Sequence, residues 1–420
     1  MTAHHEIDLT DLDRFVGGFP DEVFRHLRET APVWWHRPTA HTPDGVGFWV
    51  VSGYGPVMEA VSDAAGYSSA GVAGAAGGGT LIEDLPYGFA AGVLLNMMDD
   101  PRHQRIRRLV TPALAPRALA LLEGELRERA AAILDAVAGR GRCDFLTEVA
   151  VELPLQATAM VMGIPNEDRH DLMRWSGASL TYDDRELGAT NAAVQEASAA
   201  MAAYGAALVA RKRAAGGDDM LATVAGACIE GANAEQESLS DLEVLMFFNL
   251  LVAAGSETTR NAIALGMAGL IEHPEQWASL RADRSLLPGA VEEILRWSSP
   301  TLYNRRTATA DGELAGREIR RGEKVTLWWA SANRDEEIFP DPFAFDIRRS
   351  PNPHLAFGYR SHFCLGANLA RMEIRIMLEE LLDRFQELSL DGPIERFRTN
   401  KHAGVKHMPV TFRRGRSAGA

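Results

Sequence analysis

Cysteine is scarce in this chain. Its 420 residues hold three, Cys143, Cys228 and Cys364, widely spaced. That excludes a disulfide framework and a zinc-type cluster, and it suits a reducing compartment. Cys143 and Cys228 read as ordinary packing residues. Basic side chains are also short in number, with 43 Lys and Arg against 57 Asp and Glu for a net charge of −14. Phosphate backbones attract basic surfaces, so nucleic acid is excluded as a partner. No run reaches the roughly 18 uninterrupted apolar residues that span a bilayer. The start, Met1-Thr2-Ala3-His4-His5-Glu6, has neither the basic nor the apolar region of a secretory leader. A cytoplasmic protein using no membrane is expected. Without an internal repeat or a linker-like break in composition, one domain over 1–420 is expected, ending in a frayed tail at about 415–420.

What is present is enough apolar material for a core, 46% of the residues, and four unusual stretches. The most informative is Phe357-Gly358-Tyr359-Arg360-Ser361-His362-Phe363-Cys364-Leu365-Gly366-Ala367-Asn368-Leu369-Ala370-Arg371. Here a loop with one cysteine runs into a helix whose apolar stripe is Leu369, Met372, Ile376 and Leu381. The positive end of the helix dipole and free backbone N–H groups favour thiolate over thiol. From that chemistry alone the sulfur is a nucleophile, a metal ligand or a small buried side chain.

The second stretch opens with Ser240-Asp241-Leu242-Glu243, a capping box, and predicts a helix to about Glu272, before Pro274. Residues 245–254 are apolar all round, as in a fully buried helix. Gly255-Ser256-Glu257-Thr258-Thr259-Arg260 then breaks the rule, because buried polar groups need partners and glycine is a poor helix former. Third, Asp100-Pro101 reads as a helix start with Pro101 at the first helical position, placing His103 and Arg107 on one face. Fourth, a helix opened by Pro288 carries Glu293 and Arg296 three apart. The Gly-, Ala- and Ser-rich span from Tyr67 to Pro86 reads as a loop.

The pattern Phe-Gly-x-x-x-His-x-Cys-x-Gly resembles the haem-binding loop of the cytochrome P450 superfamily, and the other stretches match its remaining signatures in order. The resemblance implies a mainly α fold, a triangular helical domain with a smaller β-rich region mostly within 30–70 and 300–330. Haem b would lie between the long central helix and the cysteine-loop helix. Cys364 would be the axial iron ligand, Phe357 would shield its sulfur, and Gly366 would let the helix start close under the porphyrin. His103, Arg107, Arg306 and His362 match propionate-binding positions. Ala254 and Gly255 would border a groove for O₂ where the helix loosens, with Thr258 and Glu257 delivering protons for O–O cleavage. Glu293, Arg296 and Arg348, the last in Phe345-Asp346-Ile347-Arg348, would form a buried structural triad. Leu94, Leu95, Leu180, Leu251, Leu302, Tyr303 and Val405 would face the substrate, and the segment 175–190 would form a lid. One residue departs from the pattern: Arg360 stands where the family has glycine, so strain or local remodelling is expected there.

A monooxygenase is therefore expected, inserting one oxygen atom of O₂ into a C–H bond of a hydrophobic natural product, steroid or terpenoid. Electrons would come from NAD(P)H through an external ferredoxin or flavodoxin and its reductase. Arg102, Arg105, Arg108 and Arg360 would suit an acidic ferredoxin. The alternatives are a hydroxylase of amino acids or acyl groups tethered to an acyl or peptidyl carrier protein, and a haem-binding sensor without turnover.

Overall fold

The computed structural model describes residues 6–75, 77–180, 192–231 and 235–414. The 415–420 tail and most of the expected lid therefore lie outside the described residues. Seven helices position the site: α1 (Arg102–Val110), α2 (Glu123–Ala138), α3 (Glu152–Met162), α4 (Ala192–Ala215), α5 (Asp241–Glu272), α6 (Leu287–Ser298) and α7 (Ala367–Arg384).

The central helix α5 runs its expected 32 residues. At its head the Ser240 hydroxyl accepts from the Glu243 N–H at 3.3 Å, while the Glu243 carboxylate accepts from the Ser240 N–H at 2.9 Å. At its tail the His273 N–H and ring both engage the Gly269 carbonyl, at 3.0 and 2.9 Å, just ahead of Pro274. The helix packs on α3, α4, α6 and α7. By length and composition it could cross a membrane, against the expectation that no segment would, yet it passes through the middle of the protein. Nor is residues 245–254 buried all round: Leu250, Leu251 and Ala254 border a cavity. Close packing on α6 needs Gly266, where a Cβ would stand 2.5 Å from Ile294.

The β-region supplies one wall. Strands β1 (Val33–His36), β2 (Phe48–Val51), β3 (Tyr67–Ser68), β4 (Asn304–Ala308) and β5 (Lys324–Leu327) form a sheet in the order β1-β2-β5-β4-β3. The β2–β5 pair is parallel and the others antiparallel. Successive side chains on a strand point to opposite faces. On β4 this puts Asn304 and Arg306 at the cavity, whereas Arg305 turns away to Asp84 and Thr307 at 2.6 and 2.9 Å.

The layer behind the cysteine loop is pinned by a buried triad, with one correction. Arg296 donates twice to Glu293, at 2.8 Å each, and to the carbonyls of Asn333 and Pro342. The third member is Arg349, whose Nε lies 3.2 Å from Glu293 Oε2, and not Arg348. Burial of Ile347 and capping of the Arg348 N–H by Asp346 turn the exposed Arg348 side chain outward and bring the next residue back.

Two further expectations shift. Helix α1 begins at Arg102 with Pro101 in the cap position, and the Asp100 carboxylate serves the side chains of His103 and Gln104. Cys143 is buried, its thiol pushed up to about 12 by burial, but Cys228 is exposed on a short hairpin strand (Cys228–Glu230), its sulfur 3.5 Å from the Ser238 hydroxyl across the hairpin.

Candidate active site

A cavity of about 300 Å³ lies between α5, α7, the cysteine loop and β4. Its floor is the loop that delivers Cys364. The Cys364 N–H donates to the Phe357 carbonyl at 2.8 Å, folding the loop back on itself. Arg371 stacks on the Phe357 ring at 4.6 Å and is held by Glu292 at 2.7 and 2.8 Å. Arg360 has φ +57°, the strained backbone expected for a side chain in a glycine position, and its guanidinium lies over Tyr359. The Cys364 sulfur faces the cavity. Burial pushes its thiol up, outweighing the Gly366 N–H and the guanidiniums of Arg107 and Arg371. The Gly366 N–H, Arg107 and Arg371 act toward the thiolate, and a bound iron would favour it further.

The rim gathers positive charge and imidazole. His103, Arg107, Arg306 and His362 all border the cavity. The rings of His103 and His362 stack 4.1 Å apart. His103 Nδ1 is held by Asp100 at 3.0 Å, and His362 Nε2 lies 3.1 Å from the Ser69 hydroxyl. Arg107 donates to the Phe363 carbonyl, and Arg306 to the Arg305 carbonyl at 2.9 Å. Burial lowers Arg306 to about 10 against the pull of Asp99, and burial together with Arg306, His103 and Arg107 lowers His362 to about 2. Asp99, the carboxylate near this group, is engaged by Ser68 and Ser69. One buried guanidinium, Arg306, one half-buried, Arg107, and two imidazoles facing one space form a cradle for a dianion. A soft sulfur beneath it completes a donor set that fits an iron porphyrin with two propionates.

The roof is α5 from Ala254 to Thr259. The helix is continuous there and does not loosen. Gly255 lets it pack directly on α3, since a Cβ there would stand 2.5 Å from Thr158 Oγ1. Thr258 borders the cavity with its hydroxyl donating to the Ala254 carbonyl at 2.8 Å. Glu257, about 100° further round the helix, does not share that face. It is buried 3.6 Å from the Arg260 guanidinium, and burial raises its carboxyl.

Of the expected substrate contacts, Leu95 and Leu251 line the cavity. Leu94 does not, Asn96 taking its place. Leu302 and Tyr303 pack in a cluster with Trp328, Tyr303 at 4.8 Å from that ring, so Thr301 and Asn304 reach the cavity instead. Val405 is fully buried with its N–H on Asn261 Oδ1 at 3.2 Å. The side chain of Leu180 lies outside the described residues.

Sequence reasoning missed Glu373. It is 1% exposed, borders the cavity from α7, has an Oε2 with no partner, and burial raises its carboxyl well above the usual range. Its signal was a carboxylate four residues after Leu369, inside an apolar stripe. As pH rises past the ordinary carboxyl range, the unfolded chain loses this proton while the folded chain keeps it, so stability falls until the folded group ionises. Glu373→Gln is expected to remove that slope, which is at most about 1.4 kcal/mol per pH unit. Denaturant midpoints measured from mildly acidic to alkaline pH check it, and equal slopes in the two proteins would refute it.

A cavity with a cysteine on its floor and cationic donors at its rim, under a long central helix, suits a haem-thiolate protein, and the chain belongs to the cytochrome P450 family, whose model matches residues 187–409. It is a P450 monooxygenase that binds haem b and receives electrons from an external redox partner. It is 47% identical to cytochrome P450 126 of Mycobacterium tuberculosis, over 97% of this chain and 98% of that one. It is 38% identical to the methyl-branched lipid omega-hydroxylase of the same organism, over 93% and 91%. Among solved structures, Mycobacterium marinum cytochrome P450 CYP268A2 in complex with pseudoionone superposes with a TM-score of 0.87 at 33% identity, over 98% and 100% of the two chains.

Proposed function

We propose that this enzyme hydroxylates a hydrophobic lipid or terpenoid-like molecule, with Cys364 as the iron ligand and His103, Arg107, Arg306 and His362 on the propionates. The observation that carries the reading is one cavity with the Cys364 thiol on its floor, cationic donors at its rim and apolar side chains such as Leu95, Leu251 and Leu295 around it. Bound there, haem supplies the reductive activation of O₂. The chain positions the substrate, excludes water and moves protons.

Thr258 is placed for the last of these. Its Oγ1 can accept from a cavity water while its hydrogen rests on the Ala254 carbonyl, and rotation about the C–O bond turns that proton toward the cavity. Glu257, about 100° round the helix beside Arg260, has its acidity weakened by burial and would pass protons inward through water. Thr258→Ala is expected to leave haem content unchanged while product formed per O₂ consumed falls roughly a hundredfold, the lower end of what a positioned acid contributes. Parallel oxygen-electrode and product measurements test this, and unchanged coupling would remove Thr258 from proton delivery.

The lipid-type substrate is supported by the lipid hydroxylase relative and by the pseudoionone-bound neighbour. Electron delivery at the cysteine-loop face rests on fewer cations than the sequence offered. Arg102 is spent on Glu237 and Glu243, and Arg105 on the Glu230 carbonyl. Arg108 and Arg360 stay exposed for an acidic ferredoxin.

A further inference from the structure

One wall of the cavity carries a polar arrangement that neither haem binding nor proton delivery uses. Lys401 is 6% exposed, and its ammonium donates to Asn304 Oδ1 at 2.7 Å, to the Tyr303 carbonyl at 2.7 Å and to the Thr80 carbonyl at 3.2 Å. An ammonium has donors only. The Asn304 amide must therefore turn its oxygen to Lys401. What Asn304 has left for the cavity it borders is its Nδ2, with no protein acceptor among the described residues. Thr80, 3% exposed, borders the same cavity, and its hydroxyl likewise has no protein partner among the described residues. Its backbone carbonyl is the one held by Lys401 and by the Arg305 N–H at 2.9 Å. A buried cation behind the amide also polarises its N–H bonds and disfavours a cationic ligand.

We propose that Asn304 Nδ2, assisted by the Thr80 hydroxyl, is a fixed donor site for a carbonyl oxygen on the substrate. Resting on the reading of this cavity as the hydroxylation site, the inference narrows the substrate class to apolar molecules carrying a ketone, ester or carboxyl oxygen. Asn304 is a specificity-determining residue and Lys401 a positioning residue. The amide is worth something only against a ligand that can accept, so an oxygen-free hydrocarbon of the same shape gains nothing from it and leaves two N–H groups unpaired.

The test uses the haem-loaded full-length protein and two probes, pseudoionone and the hydrocarbon of the same skeleton lacking its carbonyl. Spin-state titrations of the wild type are expected to favour the ketone about fivefold to tenfold, one neutral hydrogen bond's worth. Asn304→Asp keeps an oxygen on Lys401 but presents acceptors instead of a donor. It is expected to erase that preference while hydrocarbon affinity changes less than about twofold. The wild-type comparison needs no variant to fold. Equal affinities, no shift with either probe, or a preference surviving in Asn304→Asp would overturn the proposal. So would loss of haem from Asn304→Asp, which would put the amide on a propionate. A reduced carbonyl complex without the thiolate-type band would instead sink the assignment of Cys364, and that is read before any ligand is added.

Discussion

Cys364→Ala is expected to abolish the thiolate-type absorption of the reduced carbonyl complex and all product formation, while the polypeptide still folds. The loop does not depend on the sulfur for its shape. Its backbone is closed by the Cys364 N–H on the Phe357 carbonyl, and Phe357 is clamped by Arg371 and Glu292. The Cys364 side chain is exposed to the cavity, so its truncation is expected to move apoprotein stability by less than about 1.5 kcal/mol. The rim still offers His103, Arg107, Arg306 and His362, so some porphyrin is expected to bind without its axial sulfur. Absorption spectra of the reduced carbonyl complex, haem content and calorimetry separate these effects. A thiolate-type band surviving in the variant would move the ligand elsewhere.

The largest stability loss is expected from Glu293→Gln. Its carboxylate is fully buried and is held by Arg296, Arg349, the Asn352 amide at 3.0 Å and the Asp346 N–H at 2.9 Å. Breaking a buried pair leaves the fully buried Arg296 guanidinium uncompensated, at a cost of about 3–5 kcal/mol. That is a large part of the whole stability of a typical domain. Equilibrium denaturation measures it. Arg348→Ala, at an exposed side chain, is expected to stay within about 0.5 kcal/mol. If Arg348→Ala were the damaging change and Arg349→Ala the silent one, the triad described above would be wrong.

Features set within a few residues were legible in the sequence. The Ser240–Glu243 box, the stop at Pro274, the helix after Cys364 and the shared face of His103 and Arg107 all follow from local chemistry, and each is where the sequence put it. Motif spacing then identified the family and the residues that converge on the cavity. What could not be read is the facing of side chains set by distant partners. Asn304 rather than Tyr303 meets the cavity because β4 pairs with β5 in one register, Leu327 opposite Asn304. Arg349 rather than Arg348 reaches Glu293 because Ile347 must be buried. Glu257 and Thr258 are neighbours in sequence but point apart, since one helical step is about 100°. Glu373 looked like one more polar residue until α7 was seen packed against the cavity.

The capping of α5 reaches beyond the end of one helix. Glu243, which closes the box with Ser240, also accepts from Arg102 Nε at 3.0 Å at the head of α1, the helix that carries His103 and Arg107. Roof and rim of the cavity thus share one pin. A shift of the front of α5 that keeps this contact would carry the start of α1 with it, linking the roof to the helix that bears His103 and Arg107.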